Sequence, residues 1–159
     1  MEKARLSLQL TQEESESVSQ LTIHPPRRVG IDHSFYEDFA LRGIHVDRVE
    51  PGFVSCTFKV PPRLTDRNGN LATGAIANLV DEVGGAVVHV EGLPMNVSVD
   101  MSISFLSTAK VHDELEIDSR VLGQKGGYKG TAVLVRNKAT GEIIAEGRHS
   151  LFGKHPSKM

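Results

Sequence analysis

The stretch GNLATGAIANLVDEVGGAVV, residues Gly69–Val88, decides how this chain is read. At about 100° per residue, one helical face collects Ile76, Leu79, Val80, Val83, Val87 and Val90, an apolar stripe that calls for burial against a sheet. Another face carries Asp81 with Gly74, Ala77, Asn78, Gly84, Gly85 and Val88, which recur at helical offsets of three, four and seven. An ionised carboxylate in such company is costly unless it is paired or hydrogen-bonded. Glycines inside a helix cost about 1 kcal/mol each relative to alanine. Gly84-Gly85 beside an acid therefore suggests that a neighbouring subunit or a substrate approaches the backbone closely. The alternative is a solvated acid on a weak helix.

Outside this helix the apolar period falls to two. Val54, Cys56, Phe58 and Val60 alternate with Ser55, Thr57 and Lys59, and Pro51-Gly52 separates this strand from one near Ile44–Val49. Val97, Val99, Met101, Ile103 and Phe105 alternate with Asn96, Ser98, Asp100, Ser102 and Ser104. VHDELEIDSRVL, YKGTAVLVRN and EIIAEGRHSLF supply three more strands, the last two joined by KATG. Ser34 as N-cap with Glu37 three residues on, and Gly43 as a stop, predict a short helix with Phe35 and Phe39 on one face. The expected class is α+β: two strands, a long central helix, then four strands in meander-like succession, a curved antiparallel sheet of about six strands wrapped on the helix.

The 159 residues suit one domain with a sizeable core, and 24% charged with 39% hydrophobic residues is ordinary for a soluble protein. A formal net charge of -2 gives no bulk attraction to nucleic acid or membrane, and no apolar run approaches a spanning helix. The single cysteine, Cys56, excludes an internal disulfide and fits a reducing compartment; on an apolar strand face it reads as packing rather than nucleophile. Residues 1–30 form an N-terminal extension without a secretory pattern, and Glu2, Glu13, Glu14 and Glu16 argue against a transit peptide. Thr11 and Glu14 could form a capping box there, with disorder as the alternative. The main domain is expected over residues 31–153 and a tail over 154–159.

DRNGNLATGAIANLVDEVGGAV, VSVDMSISFLSTAK and NKATGEIIAEGRHSLF together resemble the small acyl-CoA thioesterases of the hotdog fold, in the branch that includes the phenylacetate-type enzymes and those like thioesterase superfamily member 2. The resemblance spans about residues 35–153. It implies a homodimer, usually paired again into a homotetramer, with sites between subunits that hydrolyse fatty or aromatic acyl-CoA without cofactor or metal. It implies Asp81 as general base or nucleophile and Ser98 as the residue that holds the attacking water. The family's Asn or Gln ahead of the helix falls on Asp66, and its His-Gly-Gly falls on Ala72-Thr73-Gly74; both are departures. Asn68 or Asn70 could replace the amide, or Asp66 could take an altered role. Lys110, after FLSTA, and Phe105 fall on the segment that the family lays along CoA.

The chemistry is coherent from the residues alone. Hydrolysing a thioester takes an activated water and a donor for the oxygen that becomes negative. An Asp with an ordinary pKa near 3.9 is ionised and available as a base. A backbone donor near Thr73 and Gly74 would be worth about 3 kcal/mol if aligned. Thr73 and Asp81 are eight residues apart, roughly 12 Å along one helix, so one thioester meets both only if Asp81 comes from another chain. GQKGGYKG, Gly123–Gly130, matches neither a P-loop nor a dinucleotide motif; it reads as a hairpin turn, or as a contact of Lys125, Gly126, Gly127, Tyr128 or Lys129 with CoA. The seven histidines show no metal spacing. Two other classes stay open: a hotdog module that binds acyl-CoA without hydrolysing it, and a dehydratase, which usually needs a His and acid pair in the helix region, where no His lies between Thr65 and Val88. Ser157-Lys158-Met159 is close to the Ser-Lys-Leu peroxisomal address, so a peroxisomal or else cytoplasmic location is expected.

Overall fold

The computed structural model describes residues 2–21, 28, 31–32, 34–89 and 95–153. Val90 and the tail carrying Ser157-Lys158-Met159 lie outside the described residues. The chain forms two compact units, Met1–Phe39 and Ala40–Met159. In the first, α1 covers Glu2–Leu8 and α2 covers Gln12–Ser19. Thr11 caps α2 in a complete capping box: the Glu14 N–H donates to Thr11 Oγ1, and the Thr11 N–H donates to the Glu14 carboxylate. Helix α3, Phe35–Leu41, starts at Ser34, whose hydroxyl accepts the Glu37 N–H, and stacks Phe35 on Phe39 with ring centroids 6.1 Å apart.

The second unit holds the sheet. Its strands are β1 (Ile44–Glu50), β2 (Phe53–Lys59), β3 (Val97–Phe105), β4 (Glu114–Lys125), β5 (Tyr128–Asn137) and β6 (Ile143–Phe152), with α4 (Thr73–Ala86) between β2 and β3. All pairings are antiparallel, in the order β1-β2-β4-β5-β6-β3. All six strands expected from the period-two pattern are present, but the succession is corrected. Only β4, β5 and β6 meander; β3 crosses over and pairs with β6 at the far edge. Alternation says which residues share a face of a strand and nothing about which strand lies next to it.

Helix α4 packs across the sheet on the inward residues of the strands. Phe58, Leu115, Ile117, Val133, Val135 and Ala145 are all buried there, and from α4 itself Ile76, Leu79, Val80 and Val83. Burying each large apolar side chain stabilises the fold by about 1.5–3 kcal/mol. Val87 is only half-buried, because the helix ends at Ala86 and Val87 is its C-cap. Close approach of helix to sheet depends on Gly147 of β6: a Cβ there would lie 2.5 Å from Val80 Cγ1. Strand β3 remains open. Val97, Val99, Met101 and Phe105, four of the five apolar members of its alternation, are exposed along the sheet edge, and Ile103 is half-buried.

Candidate active site

Asp81 lies in the middle of α4, on the flank of the buried stripe, with its side chain 40% exposed. Ser98, near the start of β3, donates its hydroxyl to Asp81 Oδ1 at 2.8 Å. The resemblance singles out both of these residues, and a third that it does not, His149 of β6, joins them. Its Nε2 lies 3.0 Å from Ser98 Oγ and 3.2 Å from Asp81 Oδ1. Since Ser98 already donates to Asp81, the ring completes the network by donating from Nε2–H, which leaves Nδ1 unprotonated. Nδ1 is buried and has no hydrogen-bond partner. Burial pushes the His149 pKa down, against a smaller upward pull from the Asp81 carboxylate, so the ring is neutral at neutral pH.

The helix makes room for that ring at Gly84. A Cβ on residue 84 would lie 2.9 Å from His149 Nδ1, 3.1 Å from Val133 Cγ2 and 3.2 Å from Thr131 Oγ1. The close approach expected at Gly84 is therefore filled by the chain's own β6, which corrects the expectation of a neighbouring subunit or a substrate at that position. A Cβ on Gly85 would meet only Leu151 Cδ2, at an ordinary 3.7 Å. The sequence did carry a signal for His149. Ala145, Gly147 and Leu151 face inward from β6, and His149 has the same parity.

A second cluster surrounds the start of α4. An open cleft of about 400 Å³ is lined by Asp66, Asn70, Ala72, Thr73, Ile76 and Phe105, among others; Asp81 is not in its lining. The Ala75 and Ile76 N–H groups donate to the Ala72 carbonyl at 2.9 and 3.1 Å, and the N-cap Ala72 offers no side-chain acceptor. The exposed Thr73 and Gly74 N–H groups are left without an intrahelical acceptor, as first-turn groups are, and can serve a negative oxygen.

Asp66 holds the loop ahead of the helix. Its Oδ1 accepts the Asn68 N–H at 2.8 Å and the Asn70 N–H at 3.0 Å. The backbone N–H groups of Asn70 and Asn68 hold its carboxyl below the usual carboxylate range, helped less by the Asn70 side chain and Lys110, so it is ionised and cannot donate. Lys110 Nζ donates to Asn70 Oδ1 at 2.6 Å. Asn68 contributes its backbone to this loop and has an exposed side chain.

Lys125, Gly126, Gly127 and Tyr128 form the hairpin turn between β4 and β5, and none of them lines the cleft. Gly126 has φ +60°, and Tyr128 donates its hydroxyl to Ser150 Oγ at 2.6 Å. Lys129 is buried and bonded within the chain. Cys56 is buried, as its parity on β2 predicts, and burial pushes its thiol up to about 11. No group of three or more His, Cys, Asp or Glu that could hold a metal occurs among the described residues, and no described helix is long and apolar enough to cross a membrane.

Comparison with known proteins gives one consistent answer. A family model described as the thioesterase superfamily matches residues 68–144. Acyl-coenzyme A thioesterase 13 of Homo sapiens is 41% identical over 101 residues, covering 63% of this chain and 72% of the relative. The crystal structure of zebra fish thioesterase superfamily member 2 superposes with a TM-score of 0.69 at 31% identity, covering 90% of this chain and 98% of that one. A hypothetical thioesterase of Streptococcus pneumoniae, crystallised with coenzyme A, gives 0.67 at 25% identity, over 75% and 98%. On these matches, and with a six-stranded antiparallel sheet packed on one central helix, the chain belongs to the thioesterase superfamily and has the hotdog fold.

Proposed function

We infer that this chain is an acyl-CoA thioesterase, which hydrolyses the thioester to a free acid and CoA. The observation that carries the reading is the 2.8 Å bond from Ser98 to the half-exposed Asp81, set beside relatives that are named acyl-coenzyme A thioesterases. Asp81 is the general base: it takes a proton from water as the water oxygen attacks the thioester carbonyl. Ser98 holds that water, and His149 fixes Ser98 from behind. The Thr73 and Gly74 N–H groups receive the developing oxyanion, and collapse of the intermediate expels the CoA thiolate, which is then protonated. The same His149–Asp81 contact answers the dehydratase reading. A His and acid pair does exist, but the imidazole is 0% exposed behind Ser98, out of reach of a substrate proton.

Asn70 takes the part that Asp66 cannot. An ammonium can face only the oxygen of an amide, so Lys110 fixes which end of Asn70 is Nδ2. That amide lies in the cleft lining with Thr73 and supplies the side-chain donor, while Asp66 shapes the loop. In this reading Phe105 and Ile76, which line the cleft, meet the acyl group, and Lys110, bonded to Asn70, meets CoA.

The site is composite. Thr73 and Asp81 are separated by roughly 12 Å along α4, and the partner's copy of Asp81 completes each cleft. The exposed apolar edge of β3 supports a homodimer in which two sheets join edge to edge, with a pair of dimers as the homotetramer. Ser157-Lys158-Met159 directs import into peroxisomes, with the cytoplasm as the alternative; a fluorescent fusion with a free C-terminus tests this by its puncta and by their loss when the three residues are removed. The enzyme reading is tested by incubating purified protein with a panel of acyl-CoAs and following release of free thiol. Tight acyl-CoA binding with no thiol release would support the non-hydrolytic binding module instead.

A further inference from the structure

The glycine- and lysine-rich segment Gly123–Gly130 contains a residue that the catalytic chemistry leaves unused. Lys129 is 5% exposed, deeper than almost any surface lysine, and among the described residues no carboxylate bonds to it. Its Nζ donates to Asn96 Oδ1 at 3.1 Å and to the Val88 carbonyl at 3.3 Å, and Asn96 Nδ2 donates to the same carbonyl at 3.3 Å. One ammonium thus ties the end of α4 to the residue just before β3. Gly153 makes space for the Asn96 end of this tie, because a Cβ there would run into Asn96 Oδ1.

The two elements tied together are those that carry Asp81 and Ser98. Asp81 lies seven residues before Val88, and Ser98 two residues after Asn96. Lys129 pairs with Leu151, and Leu151 pairs with Ser98, so the lysine and the serine stand in one row across β5, β6 and β3. The β3–β6 register shifts between Ser98 and Asp100. At a bulge the ladder alone does not fix where a side chain is aimed. Asp81 and His149 hold the Ser98 hydroxyl, and the tie at Asn96 holds the backbone that carries it.

We propose that Lys129 is a positioning residue for the thioesterase reaction: through Asn96 and the Val88 carbonyl it sets Ser98 against Asp81. This rests on the functional reading above, and it makes the lysine act through Ser98 rather than on substrate.

The test is a double-mutant cycle on kcat. Lys129→Met keeps the length of the side chain and removes the ammonium. We expect it to lower kcat about tenfold with KM within about twofold, since small misplacements at a reacting group are costly. In a Ser98→Ala background the same change should cost less than about twofold, because the residue it positions is gone. An equal loss in both backgrounds would overturn the proposal, as would wild-type kcat in Lys129→Met. If Lys129→Met does not fold, Asn96→Ala removes the bridge and is read by the same cycle. A readout independent of turnover is the ¹⁵N shift of His149 Nε2, which Lys129→Met should move in the Ser98 protein and leave unmoved in Ser98→Ala. Wild-type protein inactive on every acyl-CoA would refute the thioesterase reading alone, and the nitrogen shift would still decide the role of Lys129.

Discussion

Gly84 and His149 occupy one volume: the space a side chain on residue 84 would need is taken by the His149 ring, 2.9 Å away at Nδ1. The ring cannot retreat without leaving Ser98 and Asp81. Gly84→Ala is therefore expected to destabilise the fold by about 1–3 kcal/mol through overpacking, despite the better helix propensity of alanine. It should also lower kcat. Gly85→Ala, which meets only Leu151 at 3.7 Å, is expected to stabilise by about 0.5–1 kcal/mol. Thermal melts and kcat on both proteins check the contrast, and equal behaviour would remove the assigned role of Gly84.

Asp81→Asn keeps the volume and removes the basic oxygen. A loss of about 10² to 10⁴ in kcat is expected, with circular dichroism unchanged. Ser98→Ala should cost less, since it positions water rather than activating it. Wild-type kcat in a folded Asp81→Asn protein would exclude Asp81 as the base.

Asn70→Ala should lower kcat about 10²-fold, the usual scale for one oxyanion donor. Asp66→Asn keeps the oxygen that organises the loop, so its kcat should stay at or above wild type. The reverse ranking would move the amide's role from Asn70 to position 66.

His149 makes stability depend on pH. Its folded-state pKa lies below the ordinary 6.5, chiefly through burial, so the unfolded chain binds the proton more readily. The stability this provides is complete above about pH 6.5 and is lost as pH falls from there through the folded-state value. Melting temperature followed from pH 8 to pH 5 should drop in that window. His149→Gln should flatten this part of the curve.

Val99→Lys places a charge on the open edge of β3, where Val99 is 56% exposed in the single chain. If β3 joins two copies, light scattering should show a monomer, and thiol release should fall at least about 10²-fold because each cleft lacks its partner's base. A monomeric wild type at micromolar concentration would defeat the composite site.

Much of the fold was legible because each element repeats its own period. Ile76, Leu79, Val80 and Val83 mark the buried face of α4 at 3.6, β5 alternates at two throughout, and β2 and β6 do so after their paired buried residues Phe53-Val54 and Ile144-Ala145. Asp81 and Ser98 were legible by resemblance, and the structure brings them together. The position of β3 was not legible, because pairing with β6 is a long-range choice that local periodicity does not encode. His149 is hidden in the sequence for a related reason. Read along the chain it lies far from Asp81, and only the register of β3 on β6 brings the two within 3.2 Å. Gly84 and Gly85 signal a close approach, but the sequence does not say of what.

The burial of Cys56 has a chemical consequence for a protein that handles activated acyl groups. A free thiolate is itself an acceptor for a thioester: it attacks the carbonyl, CoA leaves, and the protein is left acylated. Cys56 is 2% exposed, and burial pushes its thiol up to about 11, so it stays protonated at neutral pH. The chain's one sulfhydryl is thus kept out of exchange with the substrate.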